Sequence, residues 1–136
     1  MAPRHRLPNP EQVRPDEPLS RYLLQTGYFS RHQRRIKPHA FLPEPSTRAT
    51  SVFRTSGLIE TEIWRIAEEH VSGPAGRTIH GRADILVSQV EATGLCVDPD
   101  NVPERHAEIV GWPQEKHERL SLAQHLAAVA ELRLRL

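Results

Sequence analysis

Apolar positions fall into two regimes along this chain. After residue 50 they recur with clear periods; before it they are sparse and broken by proline. SVFR (51–54) alternates, with Val52 and Arg54 on one face and Ser51 and Phe53 on the other, which predicts a strand. LIETEIWRIAEEHV follows with Ile59, Ile63, Ile66 and His70 at helical spacing, and Ser72-Gly73-Pro74 as its stop. GRTIHGRADILV (76–87) reads as extended. Ser88-Gln89-Val90-Glu91 has the form of a capping box, so a short helix is expected over 89–93, ending at Gly94. LCV (95–97) and RHAEIV (105–110) read as strands. Residues 114–130 predict the longest helix, with a stripe of Leu122, Leu126 and Val129. ELRLRL then alternates strictly, as an edge strand with one wet face would. Two main helices on a sheet of four to five strands make an α+β (mixed α/β) single domain.

The front of the chain lacks such periods. Residues 1–17, with Pro at 3, 8, 10 and 15, read as a disordered tail. Residues 18–48 read as a basic, Pro-rich arm. It would hold a short helix at about 17–26, with Asp16 and Glu17 at its start and Gly27 as its stop, and an extended piece at Phe41-Leu42. The globular domain is then expected over 49–136.

Composition sharpens this picture in three ways. Hydrophobic residues make up 38 %, and the 12 prolines are an excess for 136 residues. Cys96 is the only cysteine, so an internal disulfide is excluded; flanked by Leu95 and Val97 in a strand, it reads as a small buried hydrophobe. No membrane span or signal peptide is recognised, which makes the cytoplasm the expected compartment. The net charge of +1 hides an asymmetry: residues 1–50 hold nine Lys/Arg against four acids, and 51–136 hold nine against thirteen.

Candidate chemistry is thin. His80, Arg82 and Asp84 share one face of an extended segment by period two. A carboxylate there could orient a histidine while an arginine holds an anion. The alternative is a solvated face with an Arg82–Asp84 pair. In RHAEIVGWP, Arg105 and His106 point to opposite faces of a strand. His106 could act as a general base, or Arg105 could simply pair with Asp98, Asp100 or Glu104 in the acidic loop before it. Arg54, Arg82 and Arg105 are thus the anion-binding candidates, and His80, Asp84 and His106 the catalytic ones. The histidines lack any diagnostic metal spacing, so no metal and no cofactor is expected. RHQRRIKPH is the best partner signal. Arg31, Arg34, Arg35 and Lys37 could neutralise phosphates and Tyr28 and Phe29 could stack on bases. The same cations suit an acidic protein surface or a solvated loop. Trp64 and Trp112 read as core anchors.

The set SVFR, EIW, HGRADI, Gly94-Leu95 and RHAEIVGWP resembles an uncharacterised family of small bacterial proteins. The resemblance covers about residues 18 to 136, including YFS, RIK and AFLP in the lead-in. It implies association with multi-gene bacterial systems of the mobile-element or phage-conflict (antiviral defence) type. It also marks Arg54, Trp64, His80, Arg82, Asp84, Arg105, His106 and Trp112 for testing. That family has no established activity to carry over. Three functions therefore stand as expectations. The first is a non-enzymatic component of a bacterial multi-protein system, binding a protein partner or nucleic acid through its basic arm. The second is an enzyme that uses an Arg/His cluster on a nucleotide, RNA or ADP-ribose. The third is a toxin-neutralising protein that offers its last strand for strand addition.

Overall fold

The computed structural model describes residues 12–73 and 75–135; the expected disorder of the first eleven residues lies outside them. Its main sheet has six strands in the order β6-β7-β4-β1-β5-β8, one or two more than the pattern predicts, and every neighbouring pair is antiparallel. The strands are β1 (Pro18–Leu23), β4 (Thr50–Arg54), β5 (Gly81–Leu86), β6 (Cys96–Asp98), β7 (His106–Val110) and β8 (Glu131–Leu134). A separate two-stranded hairpin joins β2 (Phe29–Ser30) to β3 (Arg35–Ile36). The helices are α1 (Glu60–Ala67), continued by a π-helical turn over Glu68–Ser72, α2 (Val87–Glu91) and α3 (Lys116–Val129). The α+β class is as expected.

The front of the chain departs from expectation. Where a helix over 17–26 is expected, PLSRYL forms β1, a central strand between β4 and β5. Leu19 and Leu23 are four residues apart, a spacing that suits a helix and a strand equally. Two open neighbours in the sheet decide it, because a strand between them satisfies its backbone groups on both sides. Pro18 sits at the strand's first position, where its missing N–H is tolerated. The core accordingly begins well before Ala49: Leu19, Leu23, Phe29, Ile36, Ala40 and Phe41 are all buried. Phe41 follows a 3-10 turn (Pro38–Ala40) instead of lying in an extended piece. Glu17 is buried against Arg54 and starts no helix.

The sheet divides the core. One face packs Leu19, Leu23, Val52, Ala83, Ile85, Ala107 and Ile109 against α2, α3 and the hairpin. The other packs Tyr22, Phe53 and Ile79 against Ile63, Ile66 and Ala67 of α1. Tyr22 donates its hydroxyl to the Ile63 carbonyl, tying β1 to the helix. Helix α3 buries Ala123, Leu126 and Ala127, while Val129 of the expected stripe is 47 % exposed. Helix α2 begins at Val87, and the expected capping box is not its cap. Gln89 reaches back instead, its Oε1 accepting from the Leu86 N–H at 2.9 Å. Cys96 turns outward between buried Leu95 and Val97, correcting the buried reading.

Candidate functional site

Of the three candidate anion-binding arginines, Arg54 and Arg105 line one cleft of about 360 Å³, and Arg82 lies apart from them. Arg82 is 3 % exposed and fully engaged. Its Nη1 and Nη2 donate to Glu60 at 2.9 Å each, its Nε donates to Asp84 at 3.0 Å, and its guanidinium lies 4.8 Å from the Trp64 ring centre. Ser20 donates its hydroxyl to the same Asp84 carboxylate at 2.7 Å. Arg54 is committed to Glu17, Asn101 and the Gln12 carbonyl. Arg105 takes a left-handed backbone (φ 66°) just before β7, and donates to the carbonyls of Arg54 and Ser56. It pairs with none of the three acids expected for it.

The predicted shared face of His80, Arg82 and Asp84 is also broken. Ile79 joins the α1 side with Tyr22, whereas the His80 ring lies 6.3 Å from Phe29 on the way into the opposite core. The strand starts only at Gly81, so strict alternation does not reach back to His80. Arg82 and His106 do point to the same side of the sheet, but β1 and β4 separate their strands. Three strand spacings of about 4.8 Å put them roughly 14 Å apart. The rings of Tyr22 and Phe53 lie between, 5.7 Å from each other and with His106 5.3 Å beyond Phe53.

His106 instead closes a chain that the sequence pattern missed. Its Nδ1 lies 2.7 Å from Asp100 Oδ1, and its Nε2 lies 2.7 Å from Ser51 Oγ. An ionised carboxylate only accepts, so Nδ1 carries a proton; in the neutral imidazole Nε2 is then the acceptor and Ser51 donates to it. The geometry is held from several sides. Ser51 stands on β4, and its carbonyl accepts from Arg21 Nη1 at 3.0 Å. The loop from β6 to β7 folds on itself: the Val102 N–H donates to Asp100 Oδ1 and the Asn101 N–H donates to the His106 carbonyl. Burial pushes the Asp100 carboxyl up, but hydrogen bonds from His106 and Val102 outweigh it and hold the group below its usual range. Ser51 and His106 line a cleft of about 400 Å³, with Arg21, Tyr28, Glu44, His70 and Arg77 around it. Alternation did place Ser51 and Phe53 on one face. What hid the chain is that 51, 100 and 106 come from three separate segments.

The basic stretch takes a different form. Residues 31–34 are the exposed turn of the β2–β3 hairpin, closed by the Gln33 N–H donating to Ser30 Oγ at 3.0 Å and by Arg34 at φ 54°. Among the described residues, Arg31, Arg34, Arg35 and Lys37 form no ion pair. Phe29 is 5 % exposed and lies under the Arg31 guanidinium, so it is not open for base stacking. Tyr28 is half-buried and faces the cleft. Trp64 is half-buried too, its ring contacted by Arg82 and Arg135; Trp112 donates Nε1–H to the Ile109 carbonyl at 3.1 Å and packs on the main core.

No group of three or more His, Cys, Asp or Glu among the described residues could hold a metal ion. No helix among them is long and apolar enough to cross a membrane. No protein-family model, curated protein or solved structure matches the chain.

Proposed function

We propose that this protein is a nucleic-acid-binding component that grips phosphate backbone with the tip of its β2–β3 hairpin. One observation carries the reading. Four exposed cations, Arg31, Arg34 and Arg35 on the hairpin and Lys37 directly after it, cluster within seven residues with no carboxylate paired to them among the described residues; the other exposed and unpaired cations, Arg48, Arg77 and Lys116, stand on separate segments, and Arg54, Arg65, Arg82, Arg133 and Arg135 are each tied to acids. Unmatched cations displace counterions from a polyanion, which favours association without base contacts. The buried Phe29 fits such a mode, in which phosphates rather than bases are held. A protein partner is the less favoured occupant. The large exposed hydrophobics, Ile59, Leu86, Val102 and Val129, all lie outside the hairpin, and protein interfaces need an apolar centre. Arg34 also borders a groove of about 830 Å³ in which Arg65, Arg133 and Arg135 alternate with Glu60 and Glu68. Edge strand β8 would suit strand addition, but its arginines guard that edge, and the proposal does not use it.

The test is fluorescence anisotropy of short labelled RNA and DNA strands against the protein and a variant carrying Arg31→Ser, Arg34→Ser, Arg35→Ser and Lys37→Ser. All four side chains are exposed, so the variant keeps its fold. Affinity should fall at least ~10-fold. Equal binding by the two proteins would overturn the reading.

A further inference from the structure

The Ser51–His106–Asp100 chain has the connectivity of an activated nucleophile: hydroxyl to Nε2, and Nδ1 to carboxylate, both at 2.7 Å. Three features separate it from an ordinary surface contact. His106 is 12 % exposed in its side chain and braced edge-on against Phe53, so its ring is fixed. Asp100 is fastened to the backbone of its own loop, so the acid is fixed as well. The serine end opens into a cleft able to admit a small molecule. We infer that Ser51 is a reactive serine that attacks small esters carrying an anionic group, with His106 as its base and Asp100 orienting the imidazole.

The steps balance with water as the only co-reactant. Ser51 Oγ forms a bond to the ester carbonyl carbon while its proton passes to His106 Nε2 and the carbonyl π pair moves onto oxygen. The intermediate collapses, the carbon–alkoxide bond breaks, and His106 returns the proton to the leaving alkoxide. Water then gives a proton to His106 and attacks the acyl carbon. Collapse breaks the Oγ–carbon bond, and Ser51 recovers its proton. The products are one acid and one alcohol. The Gln25 amide and Arg77 guanidinium are N–H donors lining the same cleft. Arg77 is exposed and Arg21 lies deeper, against Glu44 as the cleft's acid, so the cleft favours a negative substrate. Arg21 is a positioning residue, since it holds the Ser51 carbonyl.

The experiment treats the purified full chain with a fluorophosphonate, locates any adduct by mass spectrometry, and measures hydrolysis of 4-nitrophenyl acetate and 4-nitrophenyl hemisuccinate. The expected result is an adduct on Ser51, faster turnover of the anionic hemisuccinate, and loss of both activities in Ser51→Ala. Asp100→Asn keeps the side-chain shape at a half-exposed position and should slow labelling at least ~100-fold. Circular dichroism verifies that each variant is folded. A folded wild type that leaves Ser51 unlabelled, or that labels as fast in Asp100→Asn, overturns the nucleophile and marks the chain as a structural tie. Equal rates on the two esters overturn the anionic substrate class.

Discussion

Arg82 joins two carboxylates and an aromatic ring in one place, and its removal should be felt as stability, not as lost binding. Arg82→Ala would leave Asp84 and Ser20 facing each other beneath α1 with the charge uncompensated, at a cost of about 3 kcal/mol read from urea midpoints. Arg82→Lys should recover little, because an ammonium cannot span Glu60 and Asp84 as the fork does. Glu60, though exposed, is held below the usual carboxylate range by its hydrogen bonds from Arg82. Glu17 offers a pH test. Burial pushes its carboxyl up, but Arg54 and the Arg14 N–H more than undo that, leaving it below its ordinary value. A carboxyl depressed in the folded state stabilises above its unfolded pKa, and that contribution is lost as pH falls through the folded value. Wild type should therefore exceed Glu17→Gln by about 3 kcal/mol at neutral pH. The gap should close as pH drops below the ordinary carboxylate range. A gap that stays constant to low pH would contradict the ion pair. The Arg82–Asp84 pair was legible as one of two sequence readings, because period two puts both on one strand face; Glu60 as the second partner and Glu17 as the partner of Arg54 were not, because a charged residue does not announce a partner from a distant segment.

At the scale of elements, legibility followed the reach of the signal. The strands and helices after residue 50 are locally periodic, and the structure places them close to where the pattern does. Strand β1 was missed because its two leucines fit either period, and only the neighbouring strands resolve the choice. The hairpin was missed because each of its strands has two residues, too few for any period. Of the three residues of the candidate site, His106 was visible in the sequence with its strand. Ser51 and Asp100 were not, since their pairing is made by the sheet and by a loop fastened to α1 through Arg65 and Glu104 at 3.0 Å. Gly81 gives this scale its prediction. A Cβ there would stand 2.7 Å from the Arg133 carbonyl, so β8 must shift outward. Gly81→Ala should cost about 1–3 kcal/mol and speed amide exchange in β8 before the rest of the sheet. Unchanged protection in β8 would count against this packing.

Across the whole molecule, the charge asymmetry of the sequence becomes a spatial one. Four of the front half's cations stand together at the β2–β3 hairpin, while eight back-half acids among the described residues pair with Arg65, Arg82, Arg133, Arg135 or His106. Among the described residues every buried side-chain nitrogen and oxygen has a partner, so the unmatched charge is confined to the surface. The two proposals then divide the molecule: polyanion contact at the hairpin and a serine nucleophile in the cleft beyond β4. They use different residues and can fail independently.

The central claim, phosphate contact through the hairpin, is tested most directly by the salt dependence of binding. Affinity for a single-stranded oligonucleotide is measured over a range of salt concentrations, for wild type and for the four-site hairpin variant. Four phosphate contacts predict a log–log slope of roughly −3 for wild type, and a much shallower slope for the variant. A wild-type slope near zero, or an equal slope in the variant, would contradict the account.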